Sequence, residues 1–542
     1  MNNIKLINAA KWNKLTLGLY DYYSPDSQLL DLLAKEQLTG KWWSGYYHPF
    51  AVLMINRYDG KVTALRDHLG LEPFFYYYHF GKLIFASQIP QIIDQLGYIP
   101  KTNKLRQQMS LLETYLPQGI YSDETNYQDN RIEPGSLIEF KTTGLVKERF
   151  WELSPQPKTI HYHNDEDYLL RFNELLHEAI RYQLPPNDQP VAAEFSGGLD
   201  SSCVVSALLQ NNVMPELFMH TAPQDSIELD DSFYAEEVIK CYNLTKVNKI
   251  GAEEFNLPQV IEECSRLFAG MPHYLFPICA NNIHRAVAAS GTKILFSGFG
   301  GDECVSGHAP ISLALREYIR TGDYQLAQRE LLAMYRYNQK PIPSRVRQLI
   351  VLIKGRLPAL ADQLDNLRKL PQLLNHRRHK IALDLRTSFK SLAHAEAESI
   401  TGKYSHHLRM RIEDSAITAK ALGFSYRYPL LYPPLVEYCH ALPLHQKRYN
   451  GENRRIIRCY LAQYLPSGVY QKHQKVGGIM PATMDKIKKE FVAGKYQELF
   501  ANIQPDTAAD WMLKYNCKNI QAQLSQKIFR FAQQYYQMNN KE

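Results

Sequence analysis

Seven consecutive residues, Ser196-Gly197-Gly198-Leu199-Asp200-Ser201-Ser202, combine the features of an anion cradle. They follow a short apolar run and open an apolar helical pattern. Glycines let backbone N–H groups approach a ligand closely, and a helix N-terminus adds partial positive charge. Serine hydroxyls add donors. Such a nest suits phosphate or pyrophosphate. It is neither a G-x-x-x-x-G-K-S/T loop nor a G-x-G-x-x-G dinucleotide fingerprint. Asp200 is at odds with an anion site, because a carboxylate repels phosphate. The conflict disappears if Asp200 binds Mg2+, which bridges carboxylates and phosphates. A second carboxylate is then expected at another strand end. The stretch "KILFSGFGGDECVSGH" (293–308) supplies one, with Gly298, Gly300 and Gly301 followed by Asp302 and Glu303. Taken singly, each stretch also suits a tight Gly-rich turn. Two such strand-end loops in one α/β region point to a site.

The first loop resembles the pyrophosphate loop of the N-type ATP pyrophosphatases. Together with "LFSGFGGDE" it is similar to the synthetase domain of the asparagine synthetase B family, whose second loop commonly reads T/S-G-E-G-A/S-D-E. The resemblance covers most of the chain. Arg66-Asp67-His68-Leu69-Gly70-Leu71-Glu72-Pro73 and "KLIFASQI" match the family's glutaminase-like N-domain, and "EPGSLIEF…ERFWEL" matches its end. "GFSYRYPLLYPPLVEYCHALP" and "GENRRIIRCYLAQYLPSGVYQKHQK" match the C-terminal part.

Two departures qualify it. Active family members begin Met-Cys and use that Cys to hydrolyse glutamine. This chain begins Met1-Asn2-Asn3, and no cysteine precedes Cys203. The family's R-H-R-G-P-D and N-G-E-I-Y-N segments are missing too. Asn cannot replace a thiol nucleophile, so the N-domain is expected to be a degenerate scaffold that releases no ammonia. Phe299 stands where asparagine synthetases carry Glu, and Phe neither takes a proton nor coordinates a metal. The resemblance therefore falls best among the lasso-peptide macrolactam cyclases and the β-lactam and carbapenam synthetases, which use an amine already present in the substrate.

That resemblance implies ATP and Mg2+. A substrate carboxylate would form an acyl-adenylate with release of pyrophosphate, and an amine would then displace AMP. It implies an ATP and pyrophosphate site at Phe195, Ser196, Gly197, Gly198, Leu199, Asp200, Ser201, Ser202, Met219, Gly298, Gly300 and Gly301, with the metal on Asp200 and Asp302. Phe195, Met219 and His220 mark strand ends where backbone groups would read adenine. Glu413 resembles the helix-borne base of the β-lactam synthetase branch, or is a helix-surface Glu beside Arg409 and Arg411. Lys475 resembles the family's catalytic lysine and Lys472 its nearby Arg. Arg427 matches a family Arg or serves a structural ion pair. The implied partners are a carboxylate substrate, a peptide with an internal amine, and the leader-binding protein and protease of a peptide pathway. No nucleic acid or membrane partner is expected.

The elements that must position these residues are legible around them. At 542 residues the chain exceeds one ordinary core. "FAVLMINR", "GKLIFASQ" and the pair within "RIEPGSLIEFKTTGLVKERFWEL" read as strands, giving a β-rich layered domain over residues 1–153, Ntn-type by the resemblance. After a polar linker at 154–165 comes a helix, then alternating strand-like and helix-like runs: a doubly wound parallel sheet, class α/β, over 165–542. Residues 305–410 read as a helical insertion. Within 311–410 lie 18 Lys+Arg against 8 Asp+Glu, a local +10 compared with +7 for the chain. Such a block is a solvated helical face, or it contacts acidic peptides or nucleic acid. The eight cysteines are scattered without zinc spacing and read as reduced thiols. No apolar run approaches a membrane span and the N-terminus lacks a signal-peptide core, so a cytoplasmic protein is expected.

Three other readings stay open at this level. An asparagine synthetase fed by free ammonia is opposed by Phe299. An RNA-modifying enzyme on the same ATP loop is suggested by the basic block and weakened by the lack of an RNA-binding module. A non-catalytic protein on this fold sits poorly with Asp200, Asp302 and Lys475.

Overall fold

The computed structural model describes residues 5–8, 12–79, 81–100, 125, 127, 130–141, 144–186, 189–221, 232–251, 256–270, 276–305, 311–320, 322–337, 391–402, 404–471 and 479–500. Lys472 and Lys475 lie outside them.

The first domain is built from strands β1 (Lys5–Asn8), β2 (Asn13–Leu17), β3 (Tyr20–Ser24), β4 (Ala51–Asn56), β5 (Val62–Arg66), β6 (Phe75–His79), β7 (Lys82–Ala86), β8 (Asn130–Arg131), β9 (Ser136–Lys141) and β10 (Gly144–Arg149). They form a six-stranded sheet, β10-β9-β5-β4-β3-β2, and a four-stranded sheet, β1-β7-β6-β8. Side chains alternate across each strand. Ala51 and Leu53 of β4 meet Tyr76 of β6 and Leu83 and Phe85 of β7 in the core between the sheets. Val52 points to the other face, with Leu29, Leu33 and Trp42. Phe75, Tyr77, Ile84 and Ala86 point away from that inter-sheet core, onto Leu257, Val260, Ile261 and Phe268 of the second domain.

The second domain adds β11 (Ala192–Phe195), β12 (Glu216–Thr221), β13 (Val247–Gly251), β14 (Ile294–Phe296) and β15 (Ser425–Arg427). All pair in parallel in the order β13-β12-β11-β14-β15. The order reverses between β11 and β14. In doubly wound sheets that switch point opens a crevice beyond the strands' carboxyl ends, where ligands bind. The central strands β11, β12 and β14 are mostly apolar because both faces are covered. Ala193, Phe195, Leu217, Met219 and Phe296 face one core. Ala192, Phe218 and Leu295 face the other.

The chain between β14 and β15 carries the helices Ile311–Arg320, Tyr324–Tyr337, Leu392–Ile400 and His406–Ala421. A hairpin of β16 (Arg448–Tyr449) and β17 (Glu452–Asn453) precedes the helix Arg455–Leu461. Among the described residues no helix is long and apolar enough to cross a membrane. The seven described cysteines are free thiols.

Candidate active site

The two glycine-rich loops leave β11 and β14 side by side, on either side of the switch point. Gly197 has φ +69°, a conformation that favours glycine, and a Cβ there would come within 2.9 Å of Ala235 Cα. Gly198 caps the helix Leu199–Gln210 with no side-chain cap, which leaves that helix end to backbone N–H groups. Within the loop, Ser201 Oγ lies 3.2 Å from Ser196 Oγ and donates to Gly198 O at 3.2 Å.

The loops touch backbone to backbone. A Cβ at Gly298 would fall 2.6 Å from Ser201 N and 2.7 Å from the carbonyl carbon of Asp200. A Cβ at Gly301 would overlap the Asp200 carboxylate. Gly300, at φ +105°, lies against Leu431. Beyond it Gly301–Val305 makes a single π turn, a form that recurs at functional sites. This geometry brings Asp200 and Asp302 together.

They converge on a side chain that the sequence reading missed. Arg454 Nη1 lies 2.8 Å from Asp302 Oδ1, and Nη2 pairs with Asp200 Oδ1. Arg454 is 8% exposed and has φ +62°, uncommon outside glycine. A signal was present in the sequence. "NRRIIRCYL" places two arginines at the positive end of a helix, where cations are disfavoured unless carboxylates face them. Two convergent carboxylates fit Mg2+, which takes one or two protein carboxylates and completes its shell with water and phosphate oxygens. Among the described residues no group of three or more His, Cys, Asp or Glu side chains is placed to hold a metal ion.

Phe299 is 8% exposed and closes one wall. The Arg411 guanidinium lies 4.0 Å from its ring centroid, with His407 and Tyr428 edge-on at 6.1 and 6.2 Å. Glu303 accepts from Gly300 N at 3.2 Å and pairs with His407 Nε2 at 3.4 Å. Burial alone would push Glu303 up, but His407 holds it below the ordinary carboxylate value.

Several expected residues stand elsewhere. Phe195 and Met219 are opposed across β11 and β12, with their side chains in the core. Only their backbone groups are placed to face a ligand. Ser202 is wholly buried, so its hydroxyl does not reach the loop's mouth, whereas Ser196 is exposed there. Glu413 is neither at the helix surface nor beside the aspartates. It is 1% exposed, with Oε1 2.7 Å from Arg131 Nε and Oε2 3.0 Å from Arg66 Nη2, both in the first domain. Two guanidiniums lie against its two oxygens, an arrangement of a buried ion pair rather than of a proton acceptor facing a substrate. Arg427 ends β15 and donates to Tyr426 O at 3.0 Å. Burial pushes it below its ordinary value against the pull of Asp26 and Glu72.

Comparison with known proteins gives two family matches: the asparagine synthase model over residues 171–525 and the glutamine amidotransferase domain model over 41–151. The chain is 24% identical over 268 residues to a putative glutamine-hydrolyzing asparagine synthetase 2 of Methanocaldococcus jannaschii, covering 48% of this chain and 49% of that protein. It is 29% identical over 161 residues to the glutamine-hydrolyzing asparagine synthetase 3 of Bacillus subtilis, covering 29% of this chain and 25% of that protein. The chain thus spans half or less of the length of these relatives. Among solved structures it matches the U34-tRNA thiolase NcsA of Methanococcus maripaludis with its 4Fe-4S cluster, at 13% identity and a TM-score of 0.21, covering 48% of this chain and 85% of that one. At that TM-score nothing about this chain follows from the likeness.

Proposed function

The chain belongs to the asparagine synthase family, and from that premise we propose that it is an ATP-dependent amide ligase that hydrolyses no glutamine and closes a lactam or isopeptide bond within a peptide. The observation that carries this reading is the meeting of two glycine-tight loops at the switch point, with Asp200 and Asp302 converging between them. The first loop offers backbone N–H groups and the start of a helix to a phosphate chain. Magnesium held by Asp200 and Asp302 would draw off negative charge as pyrophosphate departs. The peptide carboxylate attacks the α-phosphorus, and the bond to pyrophosphate breaks. The peptide's own amine then attacks the acyl carbon, the bond to AMP breaks, and the amine's proton leaves.

Two features of the sequence favour an internal amine over ammonia. Residues 1–202 contain no cysteine to serve as a glutaminase nucleophile. Phe299, walled by Arg411, His407 and Tyr428, gives the site an aromatic and basic lining in place of an acidic one.

The test offers purified protein Mg·ATP with candidate peptides from neighbouring genes, with aspartate plus ammonium, and with glutamine. The expected result is AMP and pyrophosphate with a peptide lighter by one water, and no glutamate from glutamine. Asparagine formed from aspartate and ammonium, with no AMP on any peptide, would overturn it.

The loop packing supplies a second check. Gly298→Ala forces the loops apart against backbone atoms at 2.6 and 2.7 Å, which cannot rotate away. Its AMP formation should fall about 10²-fold, the scale of a misplacement near 1 Å, with circular dichroism unchanged. Wild-type turnover would show that the contact between the loops does not matter for catalysis.

A further inference from the structure

We propose that Arg454 is an intramolecular stand-in for the divalent cation: it holds Asp200 and Asp302 together while the site is empty and turns to the phosphate chain when metal and nucleotide arrive together. This rests on the ligase reading for the identity of the nucleotide, but its geometry is independent of the acyl substrate.

Asp200 and Asp302 are held close by loops in direct contact, because Gly298 and Gly301 press on the backbone and carboxylate of Asp200. Two carboxylates brought to one point, Asp200 at 18% and Asp302 at 6% side-chain exposure, repel each other unless a cation lies between them. Arg454 is that cation, one guanidinium nitrogen on each aspartate.

Its position is built from both sides. Glu330, 3% exposed on the insertion helix Tyr324–Tyr337, accepts from Asn450 N at 2.6 Å and Gly451 N at 3.0 Å and so grips the tip of the β16–β17 hairpin. On the other side Arg458 Nε donates to Asn453 O at 2.9 Å. Arg454 follows directly, in a left-handed conformation that a non-glycine residue keeps only where its surroundings enforce it. The hairpin is thereby fixed so that this side chain enters between the two aspartates.

A guanidinium and a divalent ion cannot share the same Oδ1 atoms, since like charges exclude each other at that distance. Metal alone must therefore displace Arg454 from both aspartates with no new anion supplied in exchange. Metal accompanied by a phosphate chain brings a new anion with it, and the planar guanidinium fork suits phosphate oxygens. The site so built refuses free divalent cation and accepts the metal–nucleotide complex.

The test reads the metal alone. Mn2+ binding to the full chain is followed by electron paramagnetic resonance without nucleotide, in wild type, Arg454→Met and the double variant Arg454→Met/Asp302→Asn. Arg454→Met should bind Mn2+ at least about ten-fold more tightly than wild type, and the double variant should lose that gain. Mn2+ should also raise the melting temperature of Arg454→Met and leave that of wild type unchanged. Equal or weaker Mn2+ affinity in Arg454→Met overturns the proposal. If that variant does not fold, Arg454→Lys replaces it. Its single point charge should give a smaller gain in the same direction, and wild-type affinity there overturns the proposal equally. The two readings fail separately. Tightened Mn2+ binding with no AMP from any substrate removes the ligase reading alone. AMP formation with unaltered Mn2+ binding in Arg454→Met removes the stand-in alone.

Discussion

Replacing Asp302 with asparagine should lower AMP and pyrophosphate formation at least about 10³-fold while leaving the melting temperature nearly unchanged. Asp302 is 6% exposed in its side chain and is one of the two carboxylates that Arg454 bridges. Asparagine has nearly the same shape and keeps an oxygen for Arg454, so the resting fold has little reason to change. In the reaction the loss is larger, because magnesium would be the counter-charge to the leaving pyrophosphate and asparagine would remove one of the two carboxylates that hold it. Preorganised electrostatic groups contribute most in water-poor sites. The measurement is product formation at saturating Mg·ATP, with a thermal melt of the same preparation. Activity within ten-fold of wild type would show that Asp302 is not a metal ligand. A large loss of stability would show that its pairing with Arg454 is mainly structural.

The sequence revealed these two aspartates because short-range rules expose them. A strand run, a glycine turn and a helical pattern are each local: all three surround Ser196–Ser202, and the first two precede Asp302 and Glu303. The same holds for β4, β7, β9, β10 and the parallel strands β11 to β14, whose runs were legible, whereas β15 was not read as a strand. The two glutaminase-like motifs also took on structural roles that local reading did not supply. Asp67 accepts from Leu71 N and Glu72 N at 2.8 Å, and Arg66 donates to the carbonyls of Gly70, Glu72 and Ile132. The R-D-H-L-G-L-E-P segment is therefore a loop folded on its own polar side chains, which aims Arg66 out of the first domain.

Long-range pairing was not legible. Arg454 lies over 250 residues from Asp200, and no local period relates them. Glu413 lies over 280 residues from Arg131. Resemblance placed Glu413 near the chemistry, but what a carboxylate does depends on the charges that face it. Here those charges came from the other domain. Ser202 failed for a different reason: helix rotation turns adjacent serines to different faces, so Ser201 stays in the loop while Ser202 enters the core.

Glu413→Gln should cost about 3–5 kcal/mol of stability, the usual loss on removing one member of a buried ion pair. The arrangement is asymmetric. One carboxylate serves two guanidiniums, Arg66 at 2% and Arg131 at 0% side-chain exposure, so its removal takes an anion from two buried cations at once. Arg131→Met removes one cation and keeps the Arg66–Glu413 pair, so it should be milder. The group lies at the boundary between the domains, alongside the Tyr127 hydroxyl donating to Ala269 O at 2.6 Å and the Lys420–Glu72 pair. Losing its anion should therefore split a single unfolding transition into two, as calorimetry would read. A catalytic base predicts the opposite pattern: an isosteric Gln would leave the melt intact and depress turnover about 10²-fold or more. Well below the melting temperature, Glu413→Gln should instead keep turnover within about ten-fold of wild type. An unchanged melt with a collapsed rate would return Glu413 to the chemistry and take the domain lock away from it.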